Sequence, residues 1–277
     1  MEPPIGLIAG QGRLPILTAE GIRVAGRRVA CVGLRGEFDP DLPSLCDHFK
    51  SAGIVQLSRW IHLLRRWDVK EAILAGGVRK TRMYEPFRIL RQLPDWRAAR
   101  VWYRNLRNDK RTNALLGAVA DELTRGGITM VPLTPYIPQH MADEGVMTQT
   151  QPSPVIQTDV AFGLPIVHCL GNLDIGQALA VKEQDLIAVE AIEGTDAMIY
   201  RAGELCRSGK WTLIKTAKPN QDMRFDVPTV GLRTIENLKR AGACCLAVGA
   251  GKVIILGKRQ FLQAADAAGI VVMGMRV

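Results

Sequence analysis

Two stretches of the C-terminal half gather the residues best suited to chemistry. Residues 188–201 read Ala-Val-Glu-Ala-Ile-Glu-Gly-Thr-Asp-Ala-Met-Ile-Tyr-Arg, and residues 215–231 read Lys-Thr-Ala-Lys-Pro-Asn-Gln-Asp-Met-Arg-Phe-Asp-Val-Pro-Thr-Val-Gly. Each sets acids, amides, Gly and Pro in a window that opens on an apolar, strand-like run. Carboxylates in such a window suit a hard cation such as Mg²⁺, which takes oxygen ligands. Lysines and the free N–H groups of a helix start suit phosphates. The combination points to a polyphosphate site. The plainer alternative is a pair of solvated loops at strand ends.

Within the first window Glu190, Glu193 and Asp196 surround a strand-to-helix turn, with Gly194 permitting a tight backbone. Thr195 is expected to cap the helix that follows, and Asp196 to favour its positive end. Asp196 and the N–H groups there are candidates to share a metal–phosphate ligand. Within the second, Lys215 ends a strand and Lys218 lies in a turn fixed by Pro219. Asp222 and Asp226 flank Arg224. Asp226 stands between Phe225 and Val227-Pro228, so its backbone is held in an apolar segment. That suits a metal ligand or a general base; the structural alternative is a buried acid paired with Arg224 or Arg201.

The elements that must position these groups follow from periodicity. Pro4–Ala9 reads as a strand, Leu14–Ala25 as a helix with Pro15 in its first turn, and Arg28–Leu34 as a strand, a βαβ start. Gly10-Gln11-Gly12 lies between the first strand and helix, where a sheet offers glycines and a helix N-terminus to a phosphate. It is not the dinucleotide fingerprint, because Pro15 takes the third glycine position. Gly76-Gly77-Val-Arg79-Lys80 repeats the pattern after the strand Glu71–Ala75 and adds cations. Two such loops on one sheet are expected to face one crevice. Helices at Ser58–Arg66 and Asn113–Arg125 and a strand at Ile128–Leu133 complete a parallel α/β half.

Prolines and few periodic positions mark 136–158 as a linker between residues 1–135 and 159–277. Beyond it come strands Gln177–Val181, Leu186–Glu190 and Trp211–Lys215, and helices from Thr195 to about Arg207 and Thr234–Ala241. Ala243–Leu256 holds two strands, then follow a helix to Ala268 and a strand Ile270–Gly274. The fold expected is α/β in two domains: an N-terminal Rossmann-like parallel sheet and a C-terminal α/β domain.

The 277 residues are 47% hydrophobic with a net charge of +9, enough apolar content for a sizeable core and a balance that favours an anionic partner. Six cysteines, none in a C-x-x-C pair, read as buried thiols of a reducing compartment rather than disulfides or a zinc site. The four histidines form no metal-binding pair. There is no G-x-S-x-G elbow and no P-loop, which argues against a serine hydrolase and a P-loop enzyme. The N-terminus lacks the features of a signal peptide and no run is long enough to span a bilayer, so a cytoplasmic protein is expected. Residues 79–111 interleave arginines with Tyr84, Phe87, Trp96, Trp102 and Tyr103. This pattern is open between a solvated helix face, a membrane-resting element and a nucleic-acid surface.

The segments Gly6-Leu-Ile-Ala-Gly-Gln-Gly-Arg-Leu-Pro15, Gly76-Gly-Val78, Asp174-Ile-Gly-Gln177, 188–198 and 218–231 resemble the UDP-2,3-diacylglucosamine pyrophosphatases of lipid A biosynthesis, the two-domain type, nearly end to end. The resemblance implies a Mg²⁺-dependent hydrolase that releases UMP and 2,3-diacylglucosamine 1-phosphate, with the lipid in a cleft between the domains. Asp226 matches the family's catalytic aspartate. Asp196 and Asp222 are added as catalytic candidates, and Glu190 and Glu193 join Asp226 as metal candidates. Gly10, Gln11, Gly12, Gly76, Gly77, Lys80, Gln177, Thr195, Lys215 and Lys218 are the substrate-binding candidates. The expected partners are this lipid-linked nucleotide sugar and the inner-membrane surface, held peripherally, with homo-oligomers possible and no nucleic acid. The competing class is a non-catalytic binder of a nucleotide sugar or acyl lipid. Two departures stand out: Thr112-Asn113 replace a pair of acids usual in the family, and Asn220 replaces a glycine.

Overall fold

A computed structural model of the chain describes residues 2–78, 95–101, 103 and 112–276, the side chains of 112–114 aside. Arg79, Lys80 and most of the arginine-rich middle lie outside the described residues. The chain forms two compact units. One comprises Met1–Pro138 together with Asp222–Asp226; the other comprises Gln139–Gln221 and Val227–Val277.

The first unit is a five-stranded parallel sheet in the order β3-β2-β1-β4-β5. Its strands are β1 (Ile5–Ala9), β2 (Val29–Leu34), β3 (His48–Ala52), β4 (Glu71–Ala75) and β5 (Thr129–Met130). Every residue of β1 and β2 is buried, as expected of central parallel strands covered on both faces. Helix α1 (Leu14–Val24) carries Pro15 in its first turn. Helix α2 (Leu57–Arg66) buries Leu57, Trp60, Ile61, Leu63 and Leu64 and leaves its arginines outside. The Trp60 indole is anchored by a hydrogen bond to the Gly53 carbonyl. The expected strand Ile128–Leu133 shrinks to two residues, because the chain turns at Leu133 into a 3-10 segment, Thr134–Tyr136. Strand β3 has no clear sequence signature: it reads His-Phe-Lys-Ser-Ala and is largely exposed, as suits a sheet edge.

Two further helices, α3 (Trp96–Val101) and α4 (Thr112–Arg125), are tied to each other and to α2 by acids. Asp95 accepts from the backbone N–H of Ala98, capping α3, and from that of Ser58 at the start of α2. Glu122 of α4 is buried and accepts from Arg97 at 2.6 Å and Arg125 at 2.9 Å. Burial pushes its carboxyl up, but the hydrogen bonds from Arg125 and Arg97 outweigh that and the net shift is downward. A carboxyl lowered in the folded state contributes stability above its unfolded pKa and loses it as pH falls through the folded value. Glu122→Ala is therefore expected to cost about 2–3 kcal/mol at neutral pH, the low side for a broken buried pair because both guanidiniums keep solvent access. Urea titrations at neutral and acid pH check this; the gap from wild type should close on acidification.

The second unit is a six-stranded mixed sheet in the order β6-β13-β11-β9-β7-β8, with a separate parallel pair β10-β12. The strands are β6 (Gly145–Val146), β7 (Ala178–Lys182), β8 (Asp185–Val189), β9 (Trp211–Lys215), β10 (Thr229–Val230), β11 (Ala243–Gly249), β12 (Ile254–Ile255) and β13 (Val271–Met275). Strands β9, β11 and β13 run parallel; β6, and β7 with its neighbours, pair antiparallel. Its helices are α5 (Pro154–Asn172), α6 (Thr195–Leu205), α7 (Leu232–Arg240) and α8 (Lys258–Ala267).

The segment 136–158, expected to be a linker, carries a 3-10 turn, strand β6 and the first residues of α5. It is tied down at Gln149, whose N–H bonds the Asp266 carboxylate. Helix α5 itself escapes the sequence reading because Pro154, Gly163, Pro165 and Gly171 look like breakers. Two of them have a local reason. Ser153 caps the helix with Pro154 in its first turn, where no N–H is needed. A Cβ on Gly163 would lie 2.4 Å from Ile214, so glycine lets α5 sit close on β9. The cysteines are all free, but burial is complete only for Cys31 and Cys245; Cys169 is exposed and the others are half-buried. The expectation of uniformly buried thiols thus fails at Cys169, which lies on the solvent side of α5. Among the described residues no helix is long and apolar enough to cross a membrane.

Candidate functional site

The C-terminal ends of β8 and β9 and the start of α6 bring three of the candidate residues together in the second unit. Lys215, the last residue of β9, is only 6% exposed, as is Glu190, which follows β8. Thr195 opens α6 between them. Its hydroxyl donates to Glu190 Oε1 at 2.9 Å and accepts from Lys215 Nζ at 2.9 Å. A hydroxyl has one proton and two lone pairs, so it can serve a cation and an anion at once. Lys215 also reaches the Thr229 carbonyl. Thr195 is therefore not the helix cap: Gly194, at φ 82°, takes that position, and the Thr195 side chain turns to the acid and the lysine.

Thr195 and Lys215 border a cleft of ≈ 320 Å³ whose lining also includes Asp196, Thr229, Val230, Gly231, Arg233, Thr234 and Leu256. The N-termini of α6 and α7 both open on it. Helix N-termini carry partial positive charge and unsatisfied N–H groups, and Lys215 and Arg233 add two full charges. Asp196 does not offer a free carboxylate: it is held by the Arg233 guanidinium and by Asn237. Arg233, Thr229, Thr234 and Asn237 were not singled out as candidates in the sequence. The signal that marks them is Gly231 with Thr234 three positions on, which forms the helix start.

Buried polar atoms without a partner cluster at this edge of the sheet. Glu190 Oε2, Gln177 Oε1 and Thr216 Oγ1 have none among the described residues. Gln177 precedes β7 and Thr216 follows β9; the Thr216 N–H bonds the Gln177 carbonyl, and the Glu190 N–H bonds the Ala178 carbonyl. An unsatisfied buried acceptor is costly, so three of them at one edge mark a place built for a ligand, ion or water.

The other candidates lie apart. Glu193 is on its own turn, ion-paired with Arg201 at 2.6 Å. Hydrogen bonds from its own N–H and from Arg201 lower its carboxyl. Lys218 is held by Asp174 at 2.5 Å. Asp222 accepts a two-pronged contact from Arg224, 2.6 Å to Nη2 and 2.9 Å to Nε, which lowers its carboxyl. Arg224 in turn lies over the Phe225 ring, and Phe225 packs on the core of the first unit. Asp222 is thus held within its own turn by Arg224. Asp226, at the end of that turn, is exposed rather than buried, and Val227 and Pro228 behind it are buried. Its N–H bonds the Asp222 carbonyl, so the turn sets its position.

In the first unit the two glycine loops meet at the carboxyl ends of β1 and β4, the switch point of the strand order where such sheets bind ligands. They meet more closely than expected. The Gln11 N–H bonds the Gly77 carbonyl at 2.7 Å, the Gly77 N–H bonds the Gln11 carbonyl, and the Gly10 N–H bonds Ala75. A Cβ on Gly10 would lie 2.3 Å from the Gly77 oxygen. Glycines at 10 and 76 thus let two backbones touch, and the amides of Gly10, Gln11 and Gly77 donate to the carbonyls of Ala75, Gly77 and Gln11 rather than being offered to a phosphate. Gly12, at φ 87°, has open space around it.

For a metal, no group of three or more His, Cys, Asp or Glu side chains is placed to hold one among the described residues. The donor set that is present fits Mg²⁺ in one mode: this ion commonly takes one or two carboxylates and completes its shell with substrate phosphates and water. Within the second unit the unpartnered Glu190 oxygen is a carboxylate of that kind.

Fold and site together define a two-unit α/β protein with a cationic cleft, flanked by two helix N-termini, in its second unit. Residues 4–140 match the LpxI N-terminal domain and residues 143–273 the LpxI C-terminal domain. UDP-2,3-diacylglucosamine pyrophosphatase LpxI of Caulobacter vibrioides is 32% identical over 281 residues, covering 98% of this chain and 97% of that protein. The chain belongs to the LpxI family.

Proposed function

We propose that the chain hydrolyses the pyrophosphate bond of UDP-2,3-diacylglucosamine, giving UMP and 2,3-diacylglucosamine 1-phosphate, in lipid A synthesis. The observation that carries this is the end-to-end match to both LpxI domains and to the Caulobacter pyrophosphatase. The cleft of the second unit supports it, since Lys215, Arg233 and two helix N-termini suit a phosphoryl group whose negative charge grows during displacement. Water attacks the phosphorus nearer the sugar, and UMP leaves. Asp226 orients or deprotonates that water. Lys215, fixed by Thr195 and Glu190, offsets charge on the phosphoryl oxygens. Glu190, with its unpartnered Oε2, would hold Mg²⁺ together with the substrate's own oxygens, and the ion would supply Lewis-acid stabilisation of the leaving phosphate; Asp226 is the further metal candidate that the family resemblance offers. Lys218 and Glu193, each held in an ion pair, are assigned to shaping the loops, a change from the substrate and metal roles expected of them. The two acyl chains and the net charge of +9 favour work at an anionic, inner-membrane surface by peripheral contact from the cytoplasm.

The test is UMP release from UDP-2,3-diacylglucosamine by the purified protein, with Mg²⁺ and with EDTA, in ¹⁸O-labelled water. Metal-dependent release with label in the sugar 1-phosphate is expected. Binding of the substrate with no release under any divalent metal would leave the chain a lipid-linked nucleotide-sugar binder.

A further inference from the structure

Among the described residues the exposed leucines and isoleucines are Leu173, Ile175, Ile192, Leu205 and Leu232, all in the second unit. All but Leu205 stand at one edge of its sheet. There the start of β7 meets the ends of β8 and β9, because β7 runs antiparallel to both. Ile192 is the tip of the turn from β8 to α6 and is fully exposed. Leu173 and Ile175 lie on the loop from α5 to β7, and Leu232 opens α7 beside Gly231 and Arg233 of the cationic cleft. The two tips adjoin. A Cβ on Gly176 would lie 1.9 Å from the Glu190 carbonyl oxygen, so the 173–177 loop packs on the strand end that leads into Ile192. Both turns are braced. Glu193 accepts from the Ala191 N–H at 3.2 Å and from Arg201 at 2.6 Å, and Arg201 also bonds the Val189 carbonyl. Asp174, at φ 56°, pairs with Lys218 at 2.5 Å, and the Ile175 N–H bonds the Leu170 carbonyl. Aliphatic side chains held out on fixed turns are favoured only by a further apolar phase that takes them out of water.

We propose that this edge seats the protein on an anionic bilayer, with Leu173, Ile175, Ile192 and Leu232 immersed in the acyl boundary and the cleft at the level of the headgroups. The proposal rests on the reading of the substrate as a diacylated nucleotide sugar, whose chains lie in a bilayer and whose pyrophosphate lies at its surface. Charge commits the edge to such a surface: Lys215, Arg233 and the N-termini of α6 and α7 open on the cleft between these tips, and each suits an anionic headgroup. The acids on the tips, Asp174 and Glu193, are each neutralised by a cation. Those two ion pairs thereby acquire a purpose. They fix the tips before docking, so no loop has to be ordered at the membrane. Leu205 closes α6 at the end away from the cleft and serves as the comparison.

The experiment is sedimentation of the purified full-length protein with substrate-free vesicles of phosphatidylethanolamine and phosphatidylglycerol, alongside UMP release from substrate dispersed in detergent. A variant carrying Leu173→Ser, Ile175→Ser and Ile192→Ser should partition to vesicles at least about 10-fold less than wild type, since binding scales with the apolar area immersed. Its activity on detergent-dispersed substrate should match wild type, which also shows that it folds. Leu205→Ser should partition like wild type. The proposal is overturned if the triple variant binds vesicles as wild type does, or if Leu205→Ser loses as much. It is equally overturned if wild type stays in the supernatant, including the case in which the tips join two copies, seen as a dimer on size-exclusion chromatography that the triple variant loses. Should the triple variant fail to fold, Ile192→Ser alone, on a turn held by Glu193 and Arg201, is read the same way. Failure of the hydrolase reading looks different: wild type would release no UMP from detergent-dispersed substrate, whatever the vesicles show.

Discussion

Asp226→Ala protein is expected to release UMP about 10³-fold more slowly than wild type while still binding UDP-2,3-diacylglucosamine, the loss typical of removing a general base. The local structure makes this a clean test. Asp226 is exposed, and the turn that carries it is held by other groups: the two-pronged Asp222–Arg224 contact, the packing of Phe225 and the buried Val227. Removing the carboxylate therefore leaves the fold intact, and the unfolding midpoint should move little. Steady-state kinetics with binding measured separately checks it. Wild-type turnover in this variant would remove Asp226 from the mechanism and leave Glu190 as the carboxylate to examine.

The second large effect is expected at Lys215. Lys215→Met keeps the length and apolar stem but removes a buried charge and the donor to Thr195. Activity should fall about 10²–10³-fold, the scale of losing one preorganised group that stabilises developing charge. Stability should fall as well, by about 2 kcal/mol, because Glu190 is left in a buried site without that cation. Thr195→Val separates the parts. It keeps the lysine and cuts the hydroxyl bridge to Glu190, so its activity should lie between the two. If Lys215→Met lowers stability but leaves kcat/KM unchanged, the lysine is a structural cation and the phosphate contact belongs to Arg233.

Much of the frame was legible in the residues. The strands β1, β2, β4, β9 and β11 are long apolar runs bounded by turn residues, and burial on both faces is what such runs demand. The clustering of Glu190, Thr195 and Lys215 followed from two motifs that each end a strand. What escaped depends on partners far along the chain. Helix α5 hides behind its prolines and glycines, whose use is set by Ile214 and the first turn. Strand β3 has no apolar run because it lies at a sheet edge. The glycine loops were read as ligand cradles, yet their amides bond across from Gln11 to Gly77, a pairing of residues far apart in sequence. Lys218 and Glu193 looked available for substrate or metal until Asp174 and Arg201 came into view. A charged side chain announces its sign in sequence, but not its counter-ion.

The chain's division also bears on how such a protein can be cut and recombined. Five residues, Asp222–Asp226, belong to the first unit although they are encoded within the second. A fragment ending at Pro138 would carry every strand of the first sheet and still lack Phe225, which packs on its core. Swapping one half between relatives at the 138–139 junction would pair a host core with a foreign plug. A successful chimaera would therefore have to carry residues 222–226 along with the first half.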